Sequence, residues 1–129
     1  MEAIYKATTQ KSFADVVAAI QAQTQVNGFR VLHIHDVQAT LAEKDFQREP
    51  LKIIEVCNAK YAHTALMIDV TVSLLMPCRI NVYREEGKTV ICTVRPKALV
   101  TIFNNNELKE FADEVEDVLI RIIDQSIAD

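Results

Sequence analysis

The chain has 129 residues, of which 50% are hydrophobic and 25% charged, and its formal net charge is -4. A chain of this length is expected to form a single domain, over residues 1–129, with enough buried surface to fold without disulfides. Its acidic balance argues against nucleic acid as a partner, because nucleic-acid-binding proteins concentrate Lys and Arg on one surface.

Targeting and membrane segments are not expected. The N-terminal residues lack a basic stretch followed by an apolar run, and no apolar stretch approaches the about 18 residues that span a membrane. The three cysteines, at positions 57, 78 and 92, match no paired-cysteine or zinc spacing. Free thiols in the reducing cytoplasm are therefore the expectation.

The N-terminal quarter of the chain predicts a strand followed by a helix. Residues 2–8 are typical of a strand. Ser12 and Asp15 form a capping box, and the apolar residues that follow recur at helical spacing, which predicts a helix to about Val26. Asn27-Gly28 is expected to end this helix, because both residues tolerate the left-handed conformation.

The central part of the chain predicts three further elements before a second long helix. They are a strand in 29–37, a short helical turn in 38–44 and a strand in 51–57. Asn58 is a candidate N-cap for a helix over 59–69, because its side chain accepts hydrogen bonds from the first backbone amides. Cys57 is therefore expected beside a helix N-terminus.

The C-terminal segment predicts an amphipathic helix, with Asn104 and Glu107 as its candidate cap. Its apolar residues follow the i, i+3, i+4 pattern for about five turns: Leu108, Phe111, Ala112, Val115, Val118, Leu119, Ile122 and Ile123. Its opposite face is acidic: Glu107, Glu110, Asp113, Glu114, Glu116, Asp117 and Asp124. We expect this acidic face to be solvated rather than to bind a basic partner.

Residues 77–96 predict a β-hairpin. A three-residue loop of Glu85-Glu86-Gly87, with the glycine in the left-handed conformation, pairs Val82 with Val90. This register collects the apolar residues on one face: Cys78, Ile80, Val82, Val90, Cys92 and Val94. A two-residue loop would pair Val82 with Ile91 and distribute the apolar residues over both faces, so hydrophobic patterning favours the three-residue loop.

The polar face of this hairpin carries a candidate ligand site. Arg79, Asn81 and Arg95 would offer two guanidinium groups and an amide, which can bind a carboxylate or phosphate. The alternative is that they form the solvated outer face of an antiparallel sheet. On the apolar face, Cys78 and Cys92 are expected as diagonal neighbours about 7 to 8 Å apart, too distant for a relaxed disulfide.

Several segments resemble the domain of unknown function 302 family: GF (28–29), DVQATL (36–41), VCN (56–58), YAHTAL (61–66) and LLMPCRINVY (74–83). The resemblance covers residues 3–125. It implies an α+β fold similar to the TATA-binding protein, in which helices pack on one face of an antiparallel sheet, and a chain that is often dimeric. With the pattern above, the element order is β-α-β-β-α-β-β-α. No reaction is implied.

The family's motif positions correspond here to Cys57, Asn58, Pro77 and Cys78. The family commonly has proline after Cys-Asn, whereas this chain has Ala59. Proline is preorganised for the first helical position, so alanine weakens the helix start slightly.

Cys57 is the best candidate for a reactive group, because a helix N-terminus stabilises a thiolate and lowers its pKa. With Cys78 nearby, the pair could form a disulfide or bind a soft metal. His63 could join them, and His33 with His35 has a chelating spacing on one strand face. The alternative for both cysteines is a structural role as small buried side chains. Paired carboxylates, a Ser-His-Asp pattern and a glycine-rich phosphate loop are all missing from the sequence, so no catalytic residue is predicted.

These observations predict a cytoplasmic, homodimeric, non-enzymatic module that binds a small ligand or a protein. The candidate ligand-binding residues are Cys57, Asn58, Cys78, Arg79, Asn81 and Arg95; no metal ligand set is predicted and the cofactor is unassigned. The expectation rests on a surplus of apolar residues for an interface or pocket: Leu74, Leu75, Met76, Leu99, Val100, Ile102 and Phe103. The alternative is a thiol-based redox or metal- or haem-binding protein that uses Cys57 and Cys78.

Overall fold

A five-stranded antiparallel sheet with the strand order β1-β5-β4-β3-β2 is the centre of the fold. The computed structural model describes residues 2–129. Its strands are β1 (Ile4–Thr9), β2 (Arg30–Asp36), β3 (Leu51–Cys57), β4 (Cys78–Glu85) and β5 (Lys88–Val94). β1 and β2 therefore form the two edges, although they come first in the sequence.

The helices connect the strands in the predicted order. They are α1 (Phe13–Val26), α2 (Val37–Ala42), α3 (Ala59–Ile68), α4 (Pro96–Leu99) and α5 (Asn106–Ile127), with 3₁₀ helices at Val70–Leu75 and Val100–Phe103. The predicted α+β class and the antiparallel sheet are confirmed, and the segments on either side of the hairpin add short helices that the sequence patterns did not predict. Within residues 2–129, no helix combines the length and apolar character that a membrane span requires.

The main core lies between one face of the sheet and helices α1 and α5. It combines Val16 and Ile20 of α1, Leu119 and Ile123 of α5, and Ile54, Ile80 and Ile91 of the three central strands. A second, smaller cluster joins α3, α5 and both 3₁₀ helices: Ala65, Val72, Val100, Leu108 and Ala112. Burial of apolar surface, at about 25 cal/mol per Å², stabilises both clusters, and the candidate site lies where they meet.

Two of the three predicted helix starts are confirmed in detail. Ser12 Oγ accepts a hydrogen bond from Asp15 N at 3.1 Å, and Asn58 Oδ1 accepts one from Tyr61 N at 3.0 Å. The prediction for α5 is wrong by one residue, because Asn105 accepts hydrogen bonds from the amides of the first turn. Asn104 instead ends the preceding 3₁₀ helix in the left-handed conformation, with φ 45°.

The predicted acidic face of α5 holds with one correction. Glu116 is only 4% exposed, whereas the sequence pattern placed it in solvent. It lies beside Arg95 of the segment after β5, with 3.3 Å between Glu116 Oε2 and Arg95 Nη1. The partner comes from another part of the chain, so the helical periodicity alone could not reveal this burial.

The predicted hairpin register is wrong. Val82 pairs with Ile91 and Glu85 with Lys88, so the loop has two residues, Glu86-Gly87. Both have positive φ, 51° and 77°, as a type I′ turn requires. This turn matches the right-handed twist of the strands, and that local preference outweighs the segregation of apolar residues on which the three-residue loop was predicted.

In the correct register, the residues of β5 point to the opposite faces of the sheet from those predicted. Thr89, Ile91 and Thr93 face the helices, and the buried threonine hydroxyls are satisfied: Thr93 Oγ1 donates to Arg79 O at 2.7 Å and Thr89 Oγ1 to Lys11 O at 2.8 Å. Cys92 pairs with Asn81 on the other face, whereas Cys78 packs against the main core. Cys78 and Cys92 are therefore on opposite faces and are not the diagonal neighbours that were predicted.

Candidate functional site

A cavity of about 410 Å³ lies at the end of the sheet where β3 ends and β4 begins. Its walls come from both faces of the sheet, with Val56 and Cys78 on the helix side and Asn81 and Cys92 on the other. The apolar residues between α3 and β4, and those after β5, complete the lining: Leu74, Leu75, Met76, Leu99 and Val100. The apolar surplus noted in the sequence therefore contributes to a cavity.

Asn58 fixes one wall of the cavity. Besides capping α3 through Oδ1, its Nδ2 donates to Gly28 O at 2.9 Å, which ties the start of α3 to the loop before β2. The next turn of α3 places the ring of Tyr61 between Phe29 and Phe111, with centroid distances of 5.9 and 5.5 Å. Asn58 thus stabilises the backbone around the cavity. The rings of Phe29, Tyr61 and Phe111 form part of the cavity lining.

Cys57 and Cys78 both line the cavity, as the sequence signatures suggested. Cys57 directly precedes the N-cap of α3, and Cys78 pairs with Val56 on the neighbouring strand. Burial raises the pKa of Cys57, although the amide of Asn58 opposes the shift. Burial, assisted by the charge of Cys57, raises the pKa of Cys78 to about 11, against the opposing effect of Arg79. The helix N-terminus therefore does not produce the lowered Cys57 pKa that was predicted.

Arg79 and Asn81 are brought together as predicted, two residues apart on the sheet face away from α1 and α5. Both line the cavity. The cross-strand partner of Arg79 is Glu55, but Glu55 Oε2 lies 3.3 Å from His35 Nε2, on the side away from Arg79. Within residues 2–129, no carboxylate lies within 4.0 Å of the Arg79 guanidinium.

The Asn81 amide is the unusual polar group of the site. Its Oδ1 is buried and has no hydrogen-bond partner among residues 2–129. An unsatisfied buried acceptor costs about 1 to 3 kcal/mol, and native proteins retain few of them. An orphaned acceptor in a cavity wall is available to a donor group from a ligand or from water.

Arg95 does not join Arg79 and Asn81, so the predicted three-residue cluster is wrong. The register error is the reason, because in the true pairing Arg95 follows Thr93 on the helix side of the sheet, opposite Arg79 and Asn81. Its guanidinium pairs with Glu116 and lies 5.3 Å from the ring centre of Tyr5. Arg95 therefore supports the packing of α5 on the sheet and does not line the cavity.

The histidines lie apart from the cavity. The His33 and His35 rings contact each other edge to face, with 4.3 Å between centroids, on β2. His63 is exposed on α3. Across residues 2–129, no group of three or more His, Cys, Asp or Glu side chains is arranged to hold a metal ion.

Sequence reasoning missed the contributions of Ile4, Phe29, Pro96 and Phe111 to the site. These residues come from both ends of the chain, and each has the pattern of an ordinary strand or helix residue. Only the tertiary packing of β1, the segment before β2, α4 and α5 at one end of the sheet brings them together.

Comparisons with known proteins agree with this fold. The model of the family described as "Domain of unknown function DUF302" matches residues 5–126. A crystal structure of an uncharacterized conserved DUF302 protein from Bacillus stearothermophilus is similar to this chain with a TM-score of 0.93 and 29% identity, over 98% of this chain and 99% of that one. No curated protein matches the sequence. The chain belongs to the DUF302 family.

Proposed function

We propose that this protein is a cytoplasmic, homodimeric, non-enzymatic module that binds a small, largely apolar molecule in the cavity at the end of the sheet. The observation that carries the proposal is the cavity itself, about 410 Å³ in volume and lined mainly by apolar side chains. Small-molecule sites occupy about 300 to 1,000 Å³ and combine apolar walls with a few polar groups.

The polar groups of the cavity support binding of a ligand. Asn81 presents an orphaned acceptor and Arg79 a guanidinium without an ion-pair partner among residues 2–129. Asn81 Oδ1 would gain a partner from a bound molecule, and Arg79 is exposed and therefore accessible to one. The cost of leaving Asn81 Oδ1 unpaired is explained if binding, rather than stability, determines this position.

The raised pKa values of the cysteines favour ligand binding over thiol chemistry. A nucleophilic or metal-binding cysteine acts as the thiolate, and burial disfavours that form for both Cys57 and Cys78. In the proposed function, the two thiols serve as small apolar parts of the cavity wall.

Filling the cavity tests the proposal. Ala112 lines the cavity and is almost fully buried, so Ala112→Leu places extra side-chain volume there. We expect wild-type protein to bind the neutral fluorescent probe N-phenyl-1-naphthylamine and Ala112→Leu to bind it at least about tenfold more weakly. Ala18→Leu is the matched control, because Ala18 is exposed on α1 and does not line the cavity.

Circular dichroism would establish that each variant is folded before binding is compared. Equal affinity of wild type and a folded Ala112→Leu variant would place the probe elsewhere and contradict the proposal. Ala62→Leu, a second lining position on α3, covers the case in which Ala112→Leu does not fold.

The exposed apolar residues at the cavity mouth support the homodimer. Ile4, Leu74 and Val94 line the cavity and are 52%, 81% and 43% exposed. A second copy of the chain bound to this patch would remove these side chains from water.

We expect light scattering at micromolar concentration to give the mass of a dimer, and Leu74→Asp to shift the measured mass towards that of the monomer. Val26→Asp is the control, because Val26 at the end of α1 is 73% exposed, close to the 81% of Leu74. A wild-type monomer would contradict the dimer.

A further inference from the structure

We propose that the ligand of this cavity is a small carboxylic acid with an apolar body, whose carboxylate binds Arg79 while its hydrocarbon part enters the cavity. This inference rests on the proposed binding function and specifies its ligand class. It assigns Arg79 as the residue that selects an anion.

The charge of the cavity wall is the first argument. Of the described residues that line the cavity, Arg79 is the only charged one, and none carries a carboxylate. The rest of the wall is apolar or neutral. A cation would therefore meet a like charge in the cavity wall, whereas an anion would meet a single guanidinium next to apolar surface.

The availability of Arg79 is the second argument. Its natural partner on the neighbouring strand, Glu55, is engaged by His35 at 3.3 Å on the side facing β2. The guanidinium consequently has no ion pair among residues 2–129. The planar fork of arginine binds a carboxylate through two parallel hydrogen bonds, a geometry that an ammonium group lacks.

The neighbouring polar group fits the same ligand. Asn81 follows Arg79 by two residues on the same face of β4 and also lines the cavity. An amide offers both hydrogen-bond donors and an acceptor. A carboxylate held by Arg79 can accept from the amide nitrogen. The orphaned Oδ1 needs a donor, which a hydroxyl or N–H group on the natural ligand supplies and octanoate does not.

The cavity volume limits the size of the ligand. A volume of about 410 Å³ lies towards the lower end of the about 300 to 1,000 Å³ that small-molecule sites occupy. An eight-carbon acid, with roughly ten non-hydrogen atoms, fits within this volume. Octanoate is therefore a suitable probe, and octan-1-ol and octylamine are its neutral and cationic counterparts.

Titration calorimetry with these three probes at pH 7 tests the inference. We expect wild-type protein to bind octanoate about tenfold more tightly than octan-1-ol, with octylamine the weakest. Arg79→Gln should remove the preference for octanoate by weakening octanoate binding much more than octan-1-ol binding, and Arg79→Lys should restore the preference in part. Arg48→Gln is the matched control, because Arg48 lies in the exposed loop before β3 and does not line the cavity.

The possible failures are distinguishable. If octan-1-ol and octanoate bind wild-type protein equally and Ala112→Leu weakens both, the anion preference is wrong and the proposed binding function stands. An octanoate preference that survives in folded Arg79→Gln also overturns the assignment of Arg79. If neither the alkyl probes nor N-phenyl-1-naphthylamine binds, the proposed function itself is wrong.

Discussion

Replacing Arg95 by methionine is expected to lower the free energy of unfolding by about 3 kcal/mol. The substitution leaves the carboxylate of Glu116, which is 4% exposed, without its guanidinium partner. The remaining contacts of Glu116 are the backbone amide of Lys97 at 3.2 Å and the Lys97 ammonium at 3.9 Å. They compensate only in part, because a buried charge that loses its partner retains its desolvation cost. Urea unfolding followed by circular dichroism measures the change.

Two further variants distinguish the cost of leaving the buried Glu116 carboxylate without a partner from the effect of removing a positive charge. Lys97→Met removes a more exposed cation, which also contacts the exposed Asp113, so we expect a loss of no more than about 1 kcal/mol. Arg95→Met combined with Glu116→Leu should recover much of the lost stability, because no unpaired charge remains in the core. A single Arg95→Met variant as stable as wild type would show that Glu116 does not depend on Arg95.

The buried thiol of Cys78 is expected to make the protein less stable in alkali. Folding raises its pKa to about 11 from the ordinary value of 9.0. The neutral Cys78 thiol therefore makes its full contribution to the free energy of unfolding below pH 9, where both the folded and the unfolded states carry the neutral thiol. This contribution is lost as the pH rises towards 11, because the unfolded chain ionises first. Between pH 8 and pH 11 this one group should reduce the free energy of unfolding by about 2 kcal/mol.

The measurement compares urea unfolding of wild type and Cys78→Val across this pH range. Other groups also ionise in alkali, so the informative quantity is the difference in slope between the two proteins. Cys92→Val is the matched control: burial also raises the pKa of Cys92, but that thiol lies on the opposite face of the sheet, where Lys6 lowers the pKa. Identical slopes for wild type and Cys78→Val would mean that the Cys78 thiol is not protected from ionisation by folding.

The start of a helix was predicted accurately where a single capping residue marks it. Ser12 and Asn58 were identifiable as caps because a side-chain oxygen of each satisfies an amide three residues ahead. The cap of α5 was placed one residue too early, at Asn104, because Asn104, Asn105 and Asn106 all have side chains able to cap. Which of them caps the helix depends on the preceding 3₁₀ helix, whose packing against α5 is a tertiary effect.

The hairpin shows the limit of hydrophobic patterning. The three-residue loop was predicted on the assumption that one face of the hairpin is apolar and the other polar. In the structure both Val90 and Ile91 are buried, although their side chains point to opposite faces of the sheet. β5 is flanked by strands on both sides, so neighbouring side chains cover even its outer face, and the alternation typical of a half-exposed strand is lost.

A one-residue error in register also determined which of the predicted site residues lie together in the structure. Arg79 and Asn81 lie on one strand, so their common face follows from alternation alone. Arg95 lies on the other side of the turn, and its face depended on the wrong loop length. The cavity itself could not be derived from any local pattern, because its walls combine Ile4 and Phe29 with Val115.

The assembly of the cavity walls from segments far apart in the chain has a practical consequence for finding the natural ligand. A molecule held between β1, α3 and α5 loses its entire binding site when the chain unfolds globally, so its affinity adds in full to the stability of the native state. At a free concentration one hundred times its Kd, such a molecule contributes about 2.7 kcal/mol. A rise in melting temperature would therefore reveal occupancy in a metabolite screen that requires neither an assay of activity nor a label.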